Sequence, residues 1–438
     1  MGYFDYSREP KSDIAFVDMK SFYASVECVK RGLHPLKTSL CVMSRADNST
    51  GLILASSPLF KKIFGKSNVG RAYDLPFDIK TRKFSYYNAR KQGLPTDSDY
   101  VRYIEDWAQV TLIVPPRMDE YIAVNMEIQR IFQNYGSPDD IYPYSIDEGF
   151  IDLTSSLNYF IPDKSLSRKD KLDMLSARIQ RDIWRQTGIY STVGMSNANP
   201  LLAKLALDNE AKHTPTMRAN WSYQDVEEKV WSIPKMTDFW GIGRRMEKRL
   251  HALGIFSIKE LAISNPDQLK KALGQAGLRL WFHANGIDES NVHKPYKAKS
   301  KGLGNSQILP RDYVKLRDIE IIIREMAEQV AIRLRRSGKK TTLVSIYVGF
   351  SKQEVRSSIH TQMKVEPTNN TAVLTGYVLK LFHNKYTSGA VRSVGVNYSG
   401  FVDESFGLIS LFDDVDKLEK EERLQTAIDS IREQFGFT

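Results

Sequence analysis

The sequence predicts a multidomain α/β protein, on three observations. Short apolar runs bounded by turns alternate with helical patterns through the first half of the chain. Residues 221–291 are punctuated by glycines and read as helices alone. Residues 303–400 read as strand, helix, strand, strand, helix and strand, the order of a split βαβ arrangement. At 438 residues the chain has room for several domains of about 100–200 residues each.

Taken in order, Ile14-Ala15-Phe16-Val17 is an apolar run that stops at Asp18, so it reads as a buried strand with a carboxylate at its C-terminal end. Ser21–Lys30 fits a helix. Ser39–Met43 and Gly51–Ala55 read as strands around the turn chemistry of Arg45–Thr50. Pro58–Phe64 begins a helix closed by Gly65. Residues 81–108 are polar and aromatic and match neither period. Pro115-Pro116 opens an amphipathic helix that runs to Tyr135, before Gly136 and Pro138. Tyr142–Leu153 alternates like a hairpin, with Asp147 and Glu148 at its turn. Leu172–Thr187 is helical, Thr192–Met195 a strand and Pro200–Asp208 a helix. A basic linker, Pro295–Lys301, precedes the last domain. There the helices are placed at Asp318–Arg336 and Thr371–His383, among strands at Thr341–Phe350, Ser357–Met363 and Val391–Tyr398.

Composition narrows the class. Two cysteines, Cys28 and Cys41, exclude a disulfide framework and a four-cysteine zinc site, and both read as small buried apolar residues. No apolar run reaches the roughly 18 residues of a membrane helix. No signal peptide is visible in the first thirty positions. A soluble protein of a reducing compartment is expected. The net charge is +10, unevenly placed. Residues 296–400 hold 18 Lys and Arg against 7 Asp and Glu, a net of +11; residues 401–438 hold 4 against 10, a net of −6. A basic folded unit followed by an acidic tail suggests a polyanion partner.

Asp18, Asp147 and Glu148, all at predicted strand ends, offer hard oxygen ligands of the kind magnesium takes. Their neighbours are more specific. Phe16-Val17-Asp18-Met19-Lys20-Ser21-Phe22-Tyr23-Ala24-Ser25-Val26-Glu27 resembles the opening of the Y-family DNA polymerases, and Tyr144-Ser145-Ile146-Asp147-Glu148-Gly149-Phe150-Ile151-Asp152 resembles that family's Ser-Ile-Asp-Glu palm motif. The resemblance continues through Thr192-Val193-Gly194-Met195-Ser196-Asn197 and Leu202-Ala203-Lys204-Leu205-Ala206, and spans nearly the whole chain.

The resemblance implies a right-hand polymerase. Its palm would be 1–21 and 113–211, and its fingers 22–112 with an insertion at about 81–108. A helical thumb would occupy 212–295 and contain a helix-hairpin-helix at about 239–255. A linker (296–302), a split-βαβ little finger (303–400) and an acidic tail (401–438) would follow. Two magnesium ions would be held by Asp18, Asp147, Glu148 and the backbone carbonyl of Met19. Tyr23 matches the family's steric gate against a ribose 2′-hydroxyl, with Phe22 beside it as packing. Lys204 matches the lysine that reaches the triphosphate.

The fingers depart from the common pattern, in which a Tyr and an Arg stand three apart. Counted back from Gly65, Leu59 and Lys62 take those places, as in the UmuC branch, which makes Lys62 the phosphate ligand and leaves Ser56 or Ser57 to replace the Tyr hydroxyl. Phe239–Met246, containing Gly241, Gly243 and Arg244, resembles a helix-hairpin-helix that grips DNA backbone. Arg333, Arg335, Arg336, Lys339 and Lys340 form the densest basic cluster of the little finger. Leu408, Ile409, Leu411 and Phe412 resemble the bacterial sliding-clamp motif with its Gln replaced, and Leu418–Phe435 reads as a charged helix beyond it.

The implied function is translesion, error-prone extension of a primer on damaged template DNA, with deoxynucleoside triphosphates and magnesium, in the cytoplasm at the nucleoid. A sliding clamp would be a partner, and some UmuC-like polymerases also need accessory subunits. The competing readings are another palm-fold enzyme, such as a nucleotide cyclase, and a DNA- and clamp-binding accessory protein with little catalysis. A cyclase has no use for a duplex grip.

Overall fold

A computed structural model describes residues 4–46, 51–65, 70–294, 301–403 and 415–436. The chain divides into two compact units, Met1–Pro295 and Tyr296–Thr438. The first unit runs β1 (Ile14–Met19), α1 (Phe22–Val29), β2 (Leu40–Met43), β3 (Leu52–Ser56), α2 (Pro58–Phe64), β4 (Gly70–Arg71), α3 (Tyr86–Lys91), α4 (Ser98–Val110), β5 (Leu112–Val114) and α5 (Met118–Gln133). It continues with β6 (Ile141–Pro143), β7 (Glu148–Asp152), α6 (Leu157–Phe160), α7 (Arg168–Thr187), β8 (Ser191–Ser196), α8 (Pro200–Asn209) and β9 (Arg218–Asn220). It closes with four short helices, α9 (Arg244–His251), α10 (Ile258–Ile263), α11 (Pro266–Leu273) and α12 (Gln275–Ala284).

Two sheets organise this unit. The larger has the order β6-β7-β1-β8-β9, with β1 antiparallel to both neighbours. Its central strand is apolar at successive positions because both faces are covered. Ala15 and Val17 pack with Tyr121, Ile128, Leu175 and Ile179 of α5 and α7. Ile14 and Phe16 pack with Ala203 and Leu207 of α8. That is why an unbroken apolar run, and no alternation, marks the strand. Helix α8 lies against β8 at Gly194: a Cβ there would meet the Ala203 carbonyl oxygen at 2.0 Å and the Leu207 nitrogen at 2.5 Å. Helix α7 begins four residues before the expected Leu172, because Ser167 accepts from the Asp170 amide and caps it.

The smaller sheet has the order β4-β3-β2-β5. The unassigned 81–108 segment builds onto it as α3 and most of α4. Phe84, Ala89, Ile104 and Ala108 are buried with Phe60, Phe64 and Phe77, and Tyr100 and Trp107 pack against them. Tyr86, Tyr87 and Tyr103 remain exposed. Both cysteines are buried, and burial pushes the Cys28 thiol up to about 11 and that of Cys41 to about 12, as suits small apolar residues.

The second unit comprises β10 (Gly302–Tyr313), α13 (Leu316–Arg336), β11 (Lys339–Phe350), β12 (Ile359–Thr368), α14 (Thr371–His383), β13 (Val391–Asp403) and α15 (Val415–Phe435). The expected strand–helix order holds, and the antiparallel sheet runs β10-β13-β11-β12. Each helix crossover therefore spans one intervening strand. Val344, Ile346, Val348, Val394 and Val396 are buried with Ile323, Val330 and Val378 of α13 and α14. Helix α15 is tied to α13 by a two-toothed Arg335–Asp429 pair and by Arg432–Glu328. Among the described residues, no helix is long and apolar enough to cross a membrane.

Candidate active site and nucleic-acid interface

The register of the large sheet sets Asp18 directly opposite Glu148, and the Met19 amide donates to the Asp147 carbonyl at 2.8 Å. Three carboxylates, distant in sequence, thus reach one end of adjacent strands. A cleft of about 630 Å³ opens there, lined by Asp18, Met19, Phe22, Tyr23, Lys61, Asp147 and Lys212 among others. The chain enters α1 through Ser21, which holds a left-handed φ of 51°. A non-glycine residue in that region is strained, and such strain collects at functional sites.

Lysines neutralise these acids. Lys204 on α8 is 3.0 Å from Glu148 and 3.2 Å from Asp208, with its ammonium 4.6 Å from the centre of the Phe16 ring. Lys212 lies 3.4 Å from Asp18 and 2.7 Å from Asp208. Burial, above all, pushes the Asp18 carboxyl up to about 7; Lys212 opposes this, and the Glu148 and Asp147 charges add to it. Burial also works against the Lys212 charge, but Asp18 and Asp208 outweigh it and hold that pKa above the ordinary lysine value. No motif in the sequence marks Lys212 or Asp208 as a site residue.

The donor set fits a hard divalent cation, since Asp18, Asp147 and Glu148 offer only oxygen. Among the described residues, however, no three His, Cys, Asp or Glu side chains are already gathered as a metal cluster. Asp147 accepts from the Ser145 hydroxyl at 2.8 Å, while Glu148 and Asp18 face their lysines.

Tyr23 lines the cleft, and its ring stacks on Tyr121 with centroids 4.3 Å apart. Burial, with the Asp147 charge second, raises its pKa. Phe22 borders the cleft and is buried in the core with Val17 and Val26.

The fingers residues fall differently from the sequence reading. Ser57 is the N-cap of α2: its hydroxyl accepts from the Phe60 and Leu40 amides and donates to the Thr38 carbonyl. Ser56 is fully buried, and its hydroxyl has no hydrogen-bond partner among the described residues. Neither lines the cleft. Pro58 and Lys61 do, one helical turn apart, and the Lys61 ammonium donates to the Ser21 hydroxyl at 3.1 Å. Burial lowers the Lys61 pKa. Lys62 is exposed and does not line the cleft. Counting from the Ser-Pro start of the helix, and not from Gly65, gives the phase the structure adopts.

Beyond the cleft, Gly241 has a φ of 97°, and Gly243 caps α9 with no side-chain hydrogen bond. The first amides of α9 therefore have no capping side chain, and Arg244, Arg245, Lys248 and Arg249 are exposed around them.

The members of the second unit's basic cluster differ in exposure and pairing. Arg333 is exposed and donates to the Gly304 carbonyl, and Arg336 is exposed. Lys339 pairs with Asp403, and Lys340 is half-buried. Arg335 points into the protein, bonded to Asp429, the Asn369 carbonyl and the Thr371 hydroxyl. Its side chain thus ties α15 to α13. Leu408, Ile409, Leu411 and Phe412 lie outside the described residues.

Comparisons with known proteins agree with this architecture. Residues 84–208 match the model of the impB/mucB/samB family, 223–255 the IMS family HHH motif, and 300–411 the impB/mucB/samB family C-terminal domain. The chain is 35% identical to the putative UV-damage repair protein UvrX of Bacillus subtilis, over 99% of this chain and 93% of that protein. It is 31% identical to DNA polymerase IV 2 of Halalkalibacterium halodurans, over 97% and 93% respectively. A solved Y-family DNA polymerase chimera shares the fold with a TM-score of 0.62 at 20% identity, over 89% of this chain and 99% of the chimera. With palm, fingers, helix-hairpin-helix thumb and little finger all represented, the chain belongs to the impB/mucB/samB family, the Y family of DNA-directed DNA polymerases.

Proposed function

We propose that this polymerase extends primers across damaged template DNA by two-metal nucleotidyl transfer, with low fidelity, and that it lies closest to the UmuC branch. The observation that carries the proposal is the placing of Asp18 and Asp147 in one cleft with Tyr23, Lys61 and Lys212, with Glu148 directly opposite Asp18 in the sheet and paired to Lys204. In this reading residues 1–21 and 113–211 are the palm, 22–112 the fingers, 212–295 the thumb and 303–400 the little finger.

Asp18, Asp147, Glu148 and the Met19 carbonyl hold magnesium. The chemistry supplied by two bound magnesium ions is activation of the primer 3′-hydroxyl and neutralisation of the departing pyrophosphate. Lys204, Lys212 and Lys61 receive the triphosphate, exchanging carboxylate and hydroxyl partners for phosphate oxygens. Tyr23 presents its ring beneath the sugar and leaves no room for a 2′-oxygen. The uncapped amides of α9 and the arginines beside them hold duplex backbone without reading sequence. The 408–412 segment engages a bacterial sliding clamp.

The test is primer extension on a primed template with and without magnesium, comparing wild type with Asp147→Ala. Extension by wild type alone, and only with the metal, is expected. Equal extension by the variant overturns the assignment of the site.

A further inference from the structure

The gate residue does not stand alone. Tyr121, on α5, is fully buried, and its ring lies nearly parallel to that of Tyr23, with centroids 4.3 Å apart and planes 13° from each other. Its hydroxyl donates to Glu27 at 2.8 Å. Glu27 is itself fully buried, one helical turn beyond Tyr23 on α1. Arg117, the N-cap of α5 and one turn before Tyr121, donates to both oxygens of Glu27 at 3.0 and 2.8 Å. The four side chains form a closed frame across two helices: Tyr23 on Tyr121, Tyr121 on Glu27, Arg117 on Glu27, and Glu27 back to Tyr23 through the backbone of α1.

A steric gate discriminates only as well as its ring is held. A ring free to tilt makes room for one oxygen. A flat stack against a buried ring limits tilt, and the hydroxyl bond to a buried, doubly anchored carboxylate limits movement of the ring behind it.

We propose that Tyr121 is a positioning residue for sugar selection: together with Glu27 and Arg117 it fixes the plane of Tyr23 and so sets the preference for deoxynucleotides over ribonucleotides. This rests on the reading of Tyr23 as the gate.

The experiment is single-nucleotide insertion with the full chain on primed DNA, reading the ratio of kcat/KM for a deoxynucleotide to that for its ribonucleotide. Both values come from one preparation, so the fraction of active protein cancels. Tyr23→Ala is expected to collapse the ratio; if it leaves the ratio unchanged, the gate reading itself fails. Tyr121→Leu removes the stacking face and is expected to lower the ratio about three- to tenfold, the range carried by an aromatic pair, mainly through improved ribonucleotide insertion. Tyr121→Phe keeps the ring and the fold and loses only the bond to Glu27; it is expected to lower the ratio about twofold, between wild type and the leucine variant. A collapsed ratio in Tyr23→Ala with wild-type ratios in Tyr121→Leu and Tyr121→Phe overturns the positioning role while leaving the gate intact. Should Tyr121→Leu give no soluble protein, an unchanged ratio in Tyr121→Phe is by itself the overturning result.

Discussion

Replacing Gly194 by alanine tests whether the strand–helix contact sets the geometry of the cleft. The added Cβ meets the Ala203 carbonyl oxygen at 2.0 Å, the Leu207 nitrogen at 2.5 Å and the Leu207 Cβ at 2.6 Å. Two of these are backbone atoms and cannot rotate aside, so α8 must retreat by more than about 1 Å to restore ordinary contact in a close-packed interior. Overpacking of this kind costs about 3 kcal/mol, which lowers Tm by roughly 6–12 °C in a domain of this class. Ala203 precedes Lys204, and Leu207 precedes Asp208, so both charged side chains move with the helix. A misplacement of about 1 Å at reacting groups can cost on the order of 100-fold in rate. Thermal unfolding by circular dichroism and single-nucleotide insertion kinetics measure the two effects. An alanine variant with wild-type Tm and an insertion rate within threefold of wild type would refute the coupling of this contact to the site.

Other outcomes follow from the same geometry. Lys61→Ala should raise the KM for the incoming nucleotide about tenfold through loss of one close charge, while Lys62→Ala should leave it within about twofold; steady-state insertion assays separate them, and the reverse order rejects the helix phase. Arg244→Ala should weaken primed-DNA binding and reduce the slope of log affinity against log salt by about 1. Arg335→Ala should leave that slope unchanged and instead free α15 to proteolysis; fluorescence anisotropy across a salt series and limited trypsin digestion read the two. Burial would raise the Glu27 pKa, but the hydrogen bonds from Arg117, Tyr121 and Arg31 outweigh it and hold the carboxyl below the ordinary value of 4.5. Its contribution to stability is thus present above pH 4.5 and lost as pH falls through the lower folded value. Urea midpoints measured from pH 6 down to pH 3 should fall more steeply for wild type than for Glu27→Gln, and parallel curves would contradict this.

What the sequence disclosed depended on how local each signal was. Position alone marked Asp18, at the end of an apolar run, and Asp147 and Glu148, at a hairpin turn, only as strand-end carboxylates; the resemblance of the motifs around them made them site candidates. Ser57 was legible in principle: serine before proline is the N-cap and first position of a helix, and that start also sets the phase placing Lys61 in the cleft. Lys212 and Asp208 carried no such mark. Their place at the carboxylates depends on α8 lying against β8, which depends on a single glycine. Arg335 shows the converse. A dense basic run suggested one function, but helix periodicity turned one of its members inward to an acid far along the chain.

The place of β1 in the middle of its sheet bears on how the molecule comes apart. Its amides and carbonyls are laddered to β7 on one side and β8 on the other, under helices on both faces. Such a strand opens only with the whole unit, whereas short helices such as α9 and α10 can open locally at lower cost. Hydrogen exchange should accordingly be slowest along Ile14–Met19 and much faster at the start of α9. On the proposed reading of α9 as the duplex grip, warming would release DNA while the strand bearing Asp18 was still folded, so loss of grip, and not loss of chemistry, would set the upper working temperature.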